Sequence, residues 1–257
     1  MTTIPLVRHY LLFAGRSTRR LIRSPDTLIA TVGFPVILLL SLLAVFSTAV
    51  EAFGDGPYIQ RLVPGLLVSG LMFGSSGVAV GLMTDLNAGF MDRVRSMPVA
   101  PSSPLAGAAM SEILRALIGV AALVAVGIPF GFRFSGGVGA AVVFVLIAAL
   151  GAFSFSWIGL WFATRASSFE TLGPPLSALF LVLLFFSQGM VPLDGYPGWA
   201  QPLVRVNPAS AFVRALTDLA NGDAAGRSVG IAILWSVILV AVFAPLAARS
   251  FKDAARR

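Results

Sequence analysis

The sequence predicts an all-α integral membrane protein with six transmembrane helices. Three observations carry this. Of its 257 residues 57% are hydrophobic and only 11% charged, too little polar surface for a water-soluble domain of this size. The mean hydropathy is +0.91. Apolar stretches of about twenty residues also recur between short polar connections, each long enough as a helix to cross a ~30 Å hydrocarbon core.

The six stretches are 27–50, 62–84, 108–130, 138–163, 171–190 and 228–248. Runs such as 36–40 and 178–186 are apolar on every face, which argues against the alternation of a membrane β-barrel. With the N-terminus inside, twelve basic residues fall on the cytoplasmic side: Arg8, Arg16, Arg19, Arg20, Arg23, Arg93, Arg95, Arg165, Arg249, Lys252, Arg256 and Arg257. Five fall outside: Arg61, Arg133, Arg205, Arg214 and Arg227. The positive-inside rule therefore places both termini in the cytoplasm. The net charge of +7 reads as topology signal and attraction to anionic lipid, not nucleic-acid binding. The first apolar run is too long for the core of a cleaved signal peptide and is expected to stay.

Ahead of the first span, residues 1–26 hold an expected amphipathic interfacial helix. Arg16, Arg19, Arg20 and Arg23, with Arg8, share an arc of roughly 120°, and Leu6, Tyr10, Leu11, Phe13 and Ile22 cover most of the other side. This is either a basic anchor alone or a helix that also touches a cytoplasmic partner. Between spans two and three, residues 85–97 are expected to form a short cytoplasmic helix, because Pro98, Pro101 and Pro104 extend the chain beyond it. Asp85, Asp92, Arg93 and Arg95 give it charge; Phe90, Met91 and Met97 give it an apolar surface.

The outer segment 191–227 contains Tyr196 and Trp199, suited to a membrane–water interface. Asn207 then Pro208 is a helix start, with the amide as N-cap and proline in the first turn, and Gly222 is the expected stop. Phe212, Ala215, Leu216 and Leu219 share one face, while Arg214 and Asp218 are spaced to pair at i, i+4. About thirteen residues cannot span a bilayer, so this is expected to be a half-inserted or interfacial helix.

Several chemistries lack their residues. The only lysine is Lys252, outside any phosphate-binding Walker loop, and the only histidine is His9. Cysteine is absent, which removes disulfides and thiolate chemistry. No catalytic residue and no metal site is expected. Glu112 is the one carboxylate deep in a span, with Arg115 one turn on. Near the cytoplasmic end of the third span, the pair is either an interfacial ion pair that anchors the span or part of a gate or of contact with a cytoplasmic motor.

Three motifs, in order, complete the pattern: Gly89-Phe90-Met91-Asp92-Arg93-Val94-Arg95-Ser96-Met97-Pro98, then Gly131-Phe132-Arg133-Phe134, then 189–199 with Asn207-Pro208 behind it. In these the chain resembles the membrane subunits of type-2 ABC exporters, particularly the daunorubicin/doxorubicin-resistance-type permeases of actinobacteria. It departs from them at 100–103 and at Thr217, where many relatives carry a basic residue.

The resemblance implies one transmembrane domain over 1–257, in the bacterial plasma membrane. Its parts would be the interfacial helix 1–26, spans one to five over 27–190, an outer re-entrant segment 191–227, span six over 228–248 and a cytoplasmic tail 249–257. It implies two copies of a cytoplasmic ATPase that bind ATP and Mg, a second permease, identical or related, and 85–97 as the coupling helix. The implied cargo is a hydrophobic or amphipathic drug or lipid. Spans two and five would line its path with Met72, Phe73, Phe180, Phe185, Phe186 and Gln188, while Gly70, Gly74, Ser75, Ser76 and Gly77 allow close helix approach. The same phenylalanines would equally suit lipid or a neighbouring helix. An ATP-independent secondary transporter or channel, with Glu112 as its ion site, is the alternative.

Overall fold

The computed structural model describes residues 25–51, 58–87, 103–189, 191 and 193–254. Its helices are α1 (Pro25–Glu51), α2 (Ile59–Asn87), α3 (Ser103–Gly127), α4 (Gly137–Ala163), α5 (Phe169–Phe185), α6 (Gln201–Arg205), α7 (Pro208–Asn221) and α8 (Gly226–Ala254). Two 3-10 turns, Ile128–Phe130 and Leu193–Gly195, join α3 to α4 and α5 to α6. Among the described residues there is no strand.

Four helical stretches are long and apolar enough to cross a membrane: Ile59–Leu86, Pro104–Phe130, Gly137–Ala163 and Gly226–Phe251. Two shorter apolar ones, Val32–Val45 and Phe169–Phe185, lie in α1 and α5. The long helices outrun the apolar stretches that announce them, because hydrophobicity marks only the lipid-facing length while the backbone ladder continues to the next break.

The fifth stretch behaves differently. The expected span runs to Met190, yet α5 ends at Phe185, one residue before Phe186-Ser187-Gln188-Gly189. Seventeen residues rise about 26 Å, less than a bilayer core, and the chain turns where polar groups from α7 and the segment before it take the carbonyls.

Helix α4 is the axis of the bundle, with α2, α3, α7 and α8 packed around it. Phe144, Phe155, Ile158 and Leu160 of α4 are buried within the chain. Two glycines set how close its neighbours come. A Cβ on Gly159 would lie 2.6 Å from the Ser75 carbonyl oxygen of α2, and one on Gly151 would lie 2.9 Å from the Phe212 ring of α7. The buried hydroxyls of Ser75, Ser154 and Ser156 donate to carbonyls one turn back at 2.7 Å, which satisfies them without water. Away from the axis, Phe34 and Ile37 of α1 and Leu234 and Val237 of α8 stand exposed, the outward apolar surface a lipid solvent calls for.

Candidate functional site

Two polar sites interrupt this apolar bundle. The first lies at mid-height between α2 and α3. Glu112 and Arg115 stand one turn apart on α3, with Arg115 Nε 3.6 Å from Glu112 Oε2. Arg115 Nη1 crosses to α2 and donates to the Gly74 carbonyl at 3.1 Å. Only 2% of the Glu112 side chain is exposed, against 19% for Arg115. Room for both comes from glycine. A Cβ on Gly74 would collide with Glu112 Oε1, and one on Gly77 with Arg115 Nη1. Neither Glu112 Oε2 nor Arg115 Nε has a hydrogen-bond partner, since their separation suits an ion pair but is too long for a hydrogen bond.

The second site closes the end of α5. The last carbonyls of a helix have no partner within it, and here the following 25 residues supply them. Asn207 is the N-cap of α7, accepting from Ala209 N–H at 2.8 Å. Its Nδ2 donates back to the carbonyls of Leu183 at 2.7 Å and Phe186 at 2.6 Å. The Tyr196 hydroxyl reaches the carbonyls of Phe185 at 2.7 Å and Ser187 at 2.8 Å. The Leu184 carbonyl accepts from Ser187 Oγ at 2.7 Å. Burial pushes the Tyr196 phenol above the ordinary tyrosine value, so at neutral pH it keeps the proton it donates. Ser210 Oγ accepts from Gln188 N–H at 3.2 Å, and Gly65 of α2 meets Gly189 backbone to backbone.

Helix α7 runs from Pro208 to Asn221 with Gly222 at φ +77° as its stop, as its capping residues predict. Ten of its fourteen residues are buried, so it is packed into the bundle and not laid along a surface. Arg214 does not pair with Asp218 as spacing suggests. Its Nη2 donates to Gln188 Oε1 at 3.3 Å instead, tying α7 to the chain just beyond α5.

The Gly131-Phe132-Arg133-Phe134 motif is a turn at the same end. Gly131 takes φ +103°, Phe132 is fully buried, and Phe132, Phe134 and Phe144 rings contact one another edge-on or tilted. Gln60, at the start of α2, exchanges two bonds with the Arg133 backbone, at 3.1 and 3.0 Å. Gln60 and Ser210 carry no local sequence signal, because their partners lie 73 and 22 residues away.

The six residues expected along a path do not form one lining. Met72 and Phe180 are fully buried in the core, whereas Phe73 and Phe185 are exposed. Phe73 and Phe180 meet edge-on at 6.0 Å. Phe186 packs on Trp199, itself 69% exposed, and Gln188 belongs with Arg214. The glycine reading also changes. Gly74 and Gly77 receive side chains of α3, Gly70 faces open space, and the close backbone approach is made by Ser75 against Gly159. Asp85 sits near the end of α2. The remaining coupling-helix residues, Phe90, Met91, Asp92, Arg93, Arg95 and Met97, and the interfacial Arg16, Arg19, Arg20 and Arg23, lie outside the described residues. Among the described residues no group of three or more His, Cys, Asp or Glu could hold a metal ion.

Known proteins share this chain across nearly its whole length. It is 33% identical over 231 residues to the daunorubicin resistance ABC transporter permease protein DrrB1 of Streptomyces coeruleorubidus, covering 89% of this chain and 81% of that protein. It is 26% identical over 242 residues to the probable doxorubicin resistance ABC transporter permease protein DrrC of Mycobacterium tuberculosis, covering 94% and 87%. To the doxorubicin resistance ABC transporter permease protein DrrB of the same species it is 29% identical over 204 residues, covering 75% and 69%. The ABC-2 type transporter profile matches residues 8–220, which takes in the α2–α3 ion pair and the α5 end closure alike. The chain is thus an integral membrane protein that belongs to the ABC-2 type transporter family, as a permease subunit of an ATP-driven exporter.

Proposed function

We propose that this permease exports a hydrophobic or amphipathic drug or lipid across a bacterial plasma membrane and leaves ATP hydrolysis to a separate subunit. The observation that carries this is the family match over residues 8–220, joined by relatives whose names specify daunorubicin or doxorubicin resistance. In this reading both termini are cytoplasmic, six helices cross the bilayer, and α6 and α7 form an outer re-entrant segment beside Tyr196 and Trp199. Residues 1–257 act as one transmembrane domain. Two ATPase copies bind ATP and Mg, and this chain adds no cofactor of its own. A second permease, identical or related, completes the path.

Force enters through packing. ATP draws the two ATPases together, and the coupling helix at Asp85, Phe90, Met91, Asp92, Arg93, Arg95 and Met97 is drawn with them. Because this segment joins α2 to α3, its displacement tilts both helices against α4. The basic helix of Arg16, Arg19, Arg20 and Arg23 rides in the cytoplasmic interface and steadies the ATPase.

The test is co-expression with a candidate ABC ATPase subunit, followed by ATP-driven uptake of doxorubicin into inverted vesicles. Uptake that needs both chains is expected. The double substitution Asp92→Ala with Arg93→Ala should preserve insertion and ATP hydrolysis while abolishing uptake. Accumulation by the permease alone, driven by an ion gradient without ATP, would refute the reading.

A further inference from the structure

The two glycines that admit Glu112 and Arg115 also open onto the outside of α2. At 100° per residue, Gly70, Phe73, Gly74, Gly77, Gly81 and Thr84 share an arc of about 100°. Gly70, Phe73, Gly77 and Thr84 are exposed. A Cβ on Gly70 or Gly81 would meet nothing within 4 Å, so this face forms a shallow groove that the other described residues leave uncovered. Small residues alone would suit any close neighbour. What distinguishes this groove is the charge set into it.

Arg115 belongs to α3, yet its Nη1 occupies the space a Gly77 side chain would fill. Its side chain is 19% exposed, and the Glu112 behind it is 2% exposed. The carboxylate is therefore sealed in the protein and the guanidinium faces outward. Nη1 is used by the Gly74 carbonyl and Nε faces Glu112, while Nη2 has no partner among the described residues. Beside this donor, Phe73 is 37% exposed and braced edge-on by Phe180.

We propose that Arg115, reaching through the Gly77 gap of α2, is a cargo contact, and that the groove of Gly70, Phe73, Gly77 and Gly81 binds an aromatic amphiphile carrying an anionic oxygen group. The ring system lies on Phe73 and the open glycine surface. The anionic group takes the free Nη2 in a charge-assisted hydrogen bond, strong at this depth because little water competes. Glu112 keeps the guanidinium in place and tempers its charge, so the site can release what it binds. This rests on the exporter reading for its role in transport; the binding itself is independent of any ATPase.

The test uses the full chain in nanodiscs of zwitterionic lipid and three fluorescent probes of one shape: 1-pyrenebutyrate, 1-pyrenebutanol and 1-pyrenebutylamine. Binding is read by energy transfer from tryptophan. Pyrenebutyrate should bind saturably and about tenfold more tightly than pyrenebutanol. Gly77→Ala keeps both charges but places a methyl where Nη1 sits, and should reduce that preference to about twofold or less. Because Arg115→Gln alone would strand the buried Glu112, the paired change Glu112→Gln with Arg115→Gln serves as the second variant and should erase the preference.

Four results would overturn the proposal: no preference in the unmodified chain, a preference that survives both variants, equal weakening of all three probes, or tightest binding of pyrenebutylamine, which would make Glu112 the contact. Failure to recruit an ATPase would instead count against the exporter reading and leave these binding results standing.

Discussion

The end of α5 and the middle of α3 both place polar groups in an apolar bundle, but they settle them in opposite ways. From Leu183 to Ser187 five successive carbonyls face a donor, the single Tyr196 hydroxyl proton being shared between Phe185 and Ser187. Between α2 and α3 a carboxylate and a guanidinium share one 3.6 Å approach, and each keeps a buried atom without a hydrogen bond. A fully satisfied network has one arrangement and resists displacement. The first site ties the end of α5 to the chain leading into α7, and the second leaves two buried polar atoms without a hydrogen bond.

Asn207 is where that contrast breaks most visibly. Asn207→Ala removes a helix cap and two donors at once, leaving the carbonyls of Leu183 and Phe186 without their partners. The expected loss is about 4 kcal/mol, read as a large drop in apparent Tm of the detergent-solubilised chain. Asn207→Asp, which keeps the cap acceptor but sets a carboxylate oxygen against the Leu183 and Phe186 carbonyls, should be no more stable than the alanine variant. If the alanine variant melts with the unmodified protein, the α5 end is not held from α7.

The ion pair should give a smaller effect with a different signature. Glu112→Ala strands a mostly buried guanidinium and is expected to cost about 3 kcal/mol. Removing both charges with Glu112→Gln and Arg115→Gln should cost less than that single change, because no orphan charge remains. Melting Glu112→Gln, Arg115→Gln and the variant that combines them gives the interaction energy directly. Costs that simply add would mean the two groups do not interact.

These two regions were unequally legible in the sequence. Helix α7 could be read because its signals are local: Asn207-Pro208 to start, Gly222 to stop, a buried stripe between. The Glu112–Arg115 pair could be read because one helical turn brings i and i+3 together. What covers a glycine could not. Gly74 and Gly77 suggest a neighbouring backbone, and only the packing of α3 on α2 shows that side chains fill them. The end of α5 was only partly visible: Ser187-Gln188-Gly189 break the apolar run locally, but the groups that take the last carbonyls sit at 196 and 207. Met72 and Phe73 show the limit within one helix. Adjacent positions diverge by about 100°, so one is buried and the other exposed, and a helix apolar all round does not reveal which.

The same packing separates two glycines on α2. Gly65→Ala would bring a Cβ to 2.7 Å from the Gly189 carbonyl oxygen, which is backbone and cannot swing aside, whereas Gly70→Ala meets nothing. About 2 kcal/mol is expected for the first, and a change within about 0.5 kcal/mol for the second. Equal melting of the two variants would remove the Gly65–Gly189 contact from the closure of the α5 end.

Tyr196 gives the smallest effect, and one that pH can tune. Tyr196→Phe deletes the hydroxyl at the Phe185 and Ser187 carbonyls and is expected to cost about 1 kcal/mol. In the unmodified chain the phenol is raised above its ordinary value by burial, so the folded state holds this proton more tightly than the unfolded one. The stabilisation is complete below the unfolded value of about 10 and is lost as pH rises through the higher folded value. Tyr196→Phe has no such proton to lose. The difference in Tm between the two proteins should therefore stay constant from pH 7 to about 9 and shrink above pH 10. A difference that does not change with alkaline pH would show that the ring, not the hydroxyl, is what Tyr196 contributes to the closure.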